Sequence, residues 1–227
     1  MKSIFKIISM KKLTLFILVT SFLLTACNQE LITGRGKIVT SSINLNTFDK
    51  VEIVGSCDVE LYNGDECYAE LSDYENILPY LELKVVGNTL IIKTKDNISL
   101  IGSKAKAKIF IPYALKGITI TGSGDVDING MFNSIGKLSI TGSGDIDATV
   151  NSSLNELEVT ITGSGDIDVL PLQTNHVQCN ITGSGDCKVH AVNSLNVSIS
   201  GSGDVYYKGN PSVNTSISGS GNVIHID

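Results

Sequence analysis

Five aspartates hold matching places in the second half of the chain. Asp125, Asp145, Asp166, Asp186 and Asp204 each follow a Gly-Ser-Gly, and Asn222 takes the place in a sixth copy. Repeated carboxylates suit three kinds of chemistry: a row of cation ligands, acid–base pairs acting on a bond, or acceptors for backbone amides in the turns that carry them. If the copies stack one strand spacing apart, at about 4.8 Å, neighbouring carboxylates repel by roughly 0.9 kcal/mol in water. Something has to offset that repulsion. In the simplest arrangement each carboxylate accepts hydrogen bonds from the amides of its own turn, as Asp commonly does.

A cation row would resemble the Ca²⁺-binding nonapeptide β-roll, which places a glycine-rich turn ending in aspartate about every nine residues. The register here disagrees. Asp follows the second glycine directly, and the next position holds Val126, Ile146, Ile167, Cys187 or Val205. The Gly-Ser-Gly turns begin at 122, 142, 163, 183, 201 and 219, at intervals of 20, 21, 20, 18 and 18 residues. His176, His190 and His225 occupy different repeat positions, and no CxxC or Cys/His cluster occurs. No metal site and no cofactor are expected, and the aspartate ladder stands as the one candidate ligand or cation row.

Catalysis fits less well. Glycoside cleavage needs two carboxylates facing across a bond at about 5–5.5 or 6.5–9.5 Å. Asp127, Asp147 and Asp168, beside the main row, could meet that spacing. Lyases of β-helical fold use an Arg or Lys base in the groove, however, and the sole arginine is Arg35, outside the repeats; tryptophan is absent and no aromatic recurs down the copies. A non-enzymatic protein is expected, with a polysaccharide-acting enzyme or a purely structural envelope component as the alternatives.

The elements that must position these residues follow from the repeat. Before each turn, Ile118/Ile120, Leu138/Ile140, Val159/Ile161, Cys179/Ile181, Val197/Ile199 and Thr215/Ile217 alternate with Thr, Ser or Asn. Alternation with period two means strands with one buried face, and β-branched residues favour that state. One unit of about 20 residues cannot bury its own apolar face, but stacked units make a continuous interior column. The sequence therefore predicts an all-β parallel β-helix over residues 113–227, with right-handed crossovers as the default. The paired glycines are expected to supply positive φ and close approach between coils.

Residues 43–112 read as a less regular β section covering the first coil. Gly55-Ser56-Cys57-Asp58 is a degenerate copy of the later turn, and Asn63-Gly64 signals a hairpin. Asp73 to Leu81 suits a short helix capped by Ser72 or Asp73 and disturbed by Pro79. Strands are expected at 83–86, 90–95 and 104–111, with Gly87-Asn88 as a turn. At the other end no cover is apparent. Tyr206-Tyr207 adds apolar surface there that suits either packing over the last coils or a homo-oligomer contact through the C-terminal end.

The N-terminus carries an address. Lys2, Lys6, Lys11 and Lys12 precede an apolar run, Leu13 to Leu24, of signal-peptide rather than membrane-spanning length. Leu24-Thr25-Ala26-Cys27 resembles a bacterial lipobox, so residues 1–26 are expected to be removed and Cys27 to carry the lipid, with 27–42 as a tether passing into a first strand. Acyl chains anchor at roughly 0.8 kcal/mol per buried CH₂. Asn28 is not the aspartate that marks inner-membrane retention, which favours the outer membrane. Losing residues 1–26 removes four lysines and no acid, taking the formal charge from −6 to −10. So acidic a body disfavours nucleic acid and leaves a glycan or an envelope protein as partner. For Cys57, Cys67, Cys179 and Cys187, disulfides 57–67 and 179–187 and buried thiols both remain open.

Several segments together, FDKVEIVGSCDVELYNGDE, DYENILPYLELKVVGNTLIIKTK, AKIFIPYALKGITITGSGDVD and the repeated GSGD turns, resemble the family named "putative auto-transporter adhesin, head GIN domain" over roughly residues 47–226. That resemblance implies a β-helical fold and a cell-envelope location. It brings no catalytic or binding residues with it.

Overall fold

The computed structural model describes residues 29–112 and 114–227. The expected leader, residues 1–26, and the expected lipid site, Cys27, lie outside the described residues. The strands of the N-terminal part are β1 Glu30–Thr33, β2 Ile38–Asn44, β3 Lys50–Gly55, β4 Asp58–Asn63, β5 Tyr68–Tyr74, β6 Leu81–Val86, β7 Thr89–Thr94, β8 Ile98–Ile101 and β9 Lys106–Ile111. The repeats form β10 Gly117–Gly122, β11 Val126–Ile128, β12 Lys137–Gly142, β13 Ile146–Ala148, β14 Ser152–Gly163, β15 Ile167–Gly183, β16 Cys187–Gly201, β17 Val205–Lys208, β18 Ser212–Gly219 and β19 Val223–His225.

These repeats wind into a parallel β-helix. Each strand pairs in parallel with its counterpart one coil away, Ile118 against Leu138, Leu138 against Val159, Val159 against Cys179 and Cys179 against Val197. The first coil lies earlier than the strict repeat suggests: β3 and β4 pair in register with β10 and β11, so the Gly55-Ser56-Cys57-Asp58 turn is its corner. Six steps of about 4.8 Å from β3 to β18 give a length of roughly 29 Å. From β3 to β16 the alternating apolar residues point inward. Ile53, Ile120, Ile140, Ile161, Ile181 and Ile199 form one column, each no more than 2% exposed. Burial of each such side chain contributes about 1.5–3 kcal/mol of transfer free energy.

The first coil thus falls inside the N-terminal section, and later strands of that section cover it, with β7 beside β3 and β9 beside β4. Three local expectations are corrected. Of the tether expected at 27–42, the described residues 29–42 are not bare chain, because β1 pairs with β8 and β2 with β5. Asn63-Gly64 does not close a hairpin, because β9 inserts between β4 and β5 and takes the hydrogen bonds of both. The helix expected from Asp73 to Leu81 shrinks to one 3₁₀ turn, Leu78–Tyr80. Ser72 and Asp73 belong to β5 instead. Asp73 is fully buried and accepts from the N–H groups of Tyr74 and Lys104 and from the Ser103 hydroxyl, pinning the β8–β9 loop.

All four described cysteines are thiols. Cys57, Cys179 and Cys187 are buried in the core as small apolar side chains. Burial pushes the Cys57 thiol up to about 12. A hydrogen bond with Cys179, and then burial, raises Cys187.

Candidate functional site

The Gly-Ser-Gly turn explains where the aspartates go. Its first glycine adopts φ of 130–141° in the five coils from Gly142 to Gly219, and its second does not need positive φ. Both are fixed by contact: a Cβ on Gly163 would run into the Gly142 carbonyl oxygen, and one on Gly165 into that of Gly144. Such closeness lets each serine amide donate to the first-glycine carbonyl of the preceding coil, at 2.9 Å for Ser164 and 2.8 Å for Ser184. Cys57 tolerates a side chain in the second-glycine place because its neighbour toward the cap is the β8–β9 loop, through Ala105, rather than another such turn.

The aspartate column follows from the same geometry. Each carboxylate accepts from the backbone N–H of the corresponding residue one coil later: Asp145 to Asp125 at 3.0 Å, and Asp166 to Asp145, Asp186 to Asp166, Asp204 to Asp186 and Asn222 to Asp204 each at 2.7 Å. The donor is the next turn's amide, not the carboxylate's own turn as expected from sequence. Every Oδ1 in the column is therefore an intercoil staple. Among the described residues no group of three or more His, Cys, Asp and Glu side chains is placed to hold a metal ion.

Two residues further along each strand a second acidic column stands beside the first. Glu60, Asp127, Asp147 and Asp168 align across β4, β11, β13 and β15, and the column continues through Lys188 to Tyr206. The two columns wall an open groove parallel to the helix axis; a concavity of about 300 Å³ there is lined by Asp145, Asp147, Asp166, Asp168, Asp186 and Lys188. Lysines hold the two ends. Lys106 lies 2.5 Å from Glu60, and Lys188 lies 2.9 Å from Asp168. The Lys106 hydrogen bond, joined by that of the Tyr62 hydroxyl, holds Glu60 below its usual range. Asp127 and Asp147, between those ends, are in no ion pair among the described residues. Burial first, then Glu60 for Asp127 and Asp168 for Asp147, raises both carboxyls. Asp127, Asp147 and Asp168 thus share one wall on successive coils rather than facing one another across a bond.

An aromatic stack that sequence reasoning missed adjoins the cap end of the groove. Tyr62, Phe110 and Tyr68 come from β4, β9 and β5, with centroids 5.5 and 4.5 Å apart and planes within 20° and 9°. Tyr62 also donates its hydroxyl to Glu60 at 2.7 Å. The three rings never recur at the repeat period, so only the pairing of β9 between β4 and β5 assembles them. Outside the groove, the serines at 123, 143, 164, 184, 202 and 220 form an exposed hydroxyl column.

The family model described as "Putative auto-transporter adhesin, head GIN domain" matches residues 47–211. A crystal structure of a "putative adhesin" from Bacteroides fragilis NCTC 9343 is 22% identical, with a TM-score of 0.68 over 86% of this chain and 100% of that one. Another, of a "putative lipid binding protein" from Parabacteroides distasonis ATCC 8503, is 27% identical, with a TM-score of 0.55 over 87% and 100%. A "putative adhesin" from Parabacteroides merdae ATCC 43184 is 20% identical, with a TM-score of 0.54 over 87% and 100%. No curated protein matches.

Proposed function

The chain belongs to the family described as "Putative auto-transporter adhesin, head GIN domain", and on that premise we propose that it is a non-enzymatic adhesin that presents its acidic groove to glycans. The groove carries this reading. Along its outer wall Glu60, Asp127, Asp147 and Asp168 set hydrogen-bond acceptors one coil apart, which suits a chain of sugar hydroxyls, and the Tyr62–Phe110–Tyr68 stack adjoins its cap end. Like charge on both walls disfavours uronic or sialylated glycans and favours neutral or amino sugars. The interior is filled by the apolar columns, so the ligand has to be met from outside.

An enzymatic alternative has little to work with. Asp127, Asp147 and Asp168 lie on one wall, and the groove-lining cation, Lys188, is tied to Asp168. The lipobox at Cys27 supports anchoring of the N-terminal end to the envelope, with the outer membrane as the favoured location. Purified chain on a glycan array tests the proposal. Retention of neutral or amino-sugar glycans and rejection of acidic ones is expected; retention of none, or of acidic glycans alone, would contradict it.

A further inference from the structure

The last coil differs from those above it. β18 pairs with β16 alone and β19 with β17 alone, leaving a free edge of backbone N–H and C=O groups. All eight residues of β18 are exposed. Val213, Thr215 and Ile217 lie under the buried Leu195, Val197 and Ile199, and Val213 and Ile217 are 39% and 42% exposed. Free strand edges are usually blunted by charge, proline or a bulge. Here the stretch from Gly209 to Ile226 holds no Asp, Glu, Lys or Arg, and β18 contains no proline. Two column positions also change in this coil. Asn222 ends the aspartate ladder, and Thr215 puts a hydroxyl where Ile118, Leu138, Val159, Cys179 and Val197 stand above it.

We propose that this end is a homodimer interface, in which β18 pairs antiparallel with β18 of a second copy about a two-fold axis at Thr215. The strand is self-complementary about that residue: Asn214 matches Ser216, Val213 matches Ile217, and Ser212 matches Ser218. An axis there sets each Val213 opposite the second copy's Ile217, and Thr215 opposite itself. A two-fold contact requires such self-complementarity, and Thr–Thr and aliphatic pairs are favourable across antiparallel strands. Charge selects the same end. Two copies of a strongly acidic chain repel, and the stretch from Gly209 to Ile226, with no charged side chain, lets them meet there with the least repulsion. A head-to-tail stack is blocked, because β7 and β9 occupy the far edges of β3 and β4.

With β1 at the capped end, tail-to-tail pairing directs the two N-terminal ends apart, so chains anchored on facing surfaces would join tip to tip. That consequence rests on the adhesin reading above. The pairing itself does not.

Full chain extracted in mild detergent should sediment as a dimer. Thr215→Cys, treated with diamide as the thiol oxidant, should give a covalent dimer on a non-reducing gel, since opposed residues in such a pair have Cβ atoms about 4.5–5.5 Å apart. Ser123→Cys, on the outer hydroxyl column, should not. Ile217→Lys should sediment as a monomer with an unchanged circular dichroism spectrum. A monomeric unmodified chain, a dimer indifferent to Ile217→Lys, or equal cross-linking at 123 and 215 would overturn the proposal. A dimer that meets these tests but retains no glycan would overturn the adhesin reading and leave the interface standing.

Discussion

Asp166 separates the two uses of a ladder carboxylate. Its Oδ1 accepts the Asp186 amide, and an asparagine oxygen can accept the same bond. Asp166→Asn should therefore leave the denaturation midpoint unchanged or slightly raised, because one like charge leaves the column. Asp166→Ala orphans that amide and should cost about 1–3 kcal/mol in chemical denaturation. Asp147 makes a pH-dependent prediction. Its folded pKa is raised, by burial and then by Asp168, so the folded chain binds protons more readily than the unfolded one between the unfolded value of about 3.9 and the raised one. Its charge lowers stability above that window, and the loss is recovered as pH falls through the raised value. Asp147→Asn should raise Tm at pH 7 by about 1–3 °C, discounted for its partial exposure, and leave it unchanged at about pH 3. Glu60 runs the other way: Lys106 lowers its folded pKa, so its contribution is present above the unfolded value and is lost as pH falls through the lowered one. The aspartates could be found from spacing alone. Their partners could not, because each donor amide lies 18 to 21 residues later and is brought close only by stacking.

At the scale of the turn and strand, the glycines make the firmest prediction. A Cβ on Gly165 would collide with the Gly144 carbonyl oxygen, in backbone that cannot yield without breaking the intercoil bonds. Gly165→Ala should cost more than about 4 kcal/mol or prevent folding. At Gly102, with φ of 68° and nothing near its Cβ, alanine pays only for the left-handed backbone, about 1–2 kcal/mol. Denaturation of the two variants side by side distinguishes contact from conformation. Strands of the repeat were legible because inward residues recur at period two and again at the coil spacing. The cap was less so. Tyr74, Glu75 and Ile77 suit a helix locally, but β5 takes Tyr68–Tyr74 into antiparallel pairs with β2 and β9, and tertiary pairing outweighs local propensity.

Across the whole molecule, a filled interior and a charged exterior divide the labour. The columns from Ile53 to Ile199 hold the coils, and the ladder staples the corners. On the opposite wall Asp127 and Asp147, free of ion pairs among the described residues, face outward and bind no neighbouring coil, while Asp168 reaches the next coil through Lys188. Tyr62, Phe110 and Tyr68 extend that face in a way no repeat pattern announces, since strands 42 or more residues apart in sequence carry Phe110 to the two tyrosines. In the proposed adhesin the outer wall is the working surface and the ladder its scaffold. The most direct measurement is glycan affinity for two variants: Asp125, Asp145, Asp166, Asp186 and Asp204 all changed to Asn, and Asp127, Asp147 and Asp168 all changed to Asn. The first is expected to keep its affinity within about twofold and the second to lose tenfold or more, about 1.4 kcal/mol; the reverse order, or a second variant that binds undiminished, would contradict this division of roles.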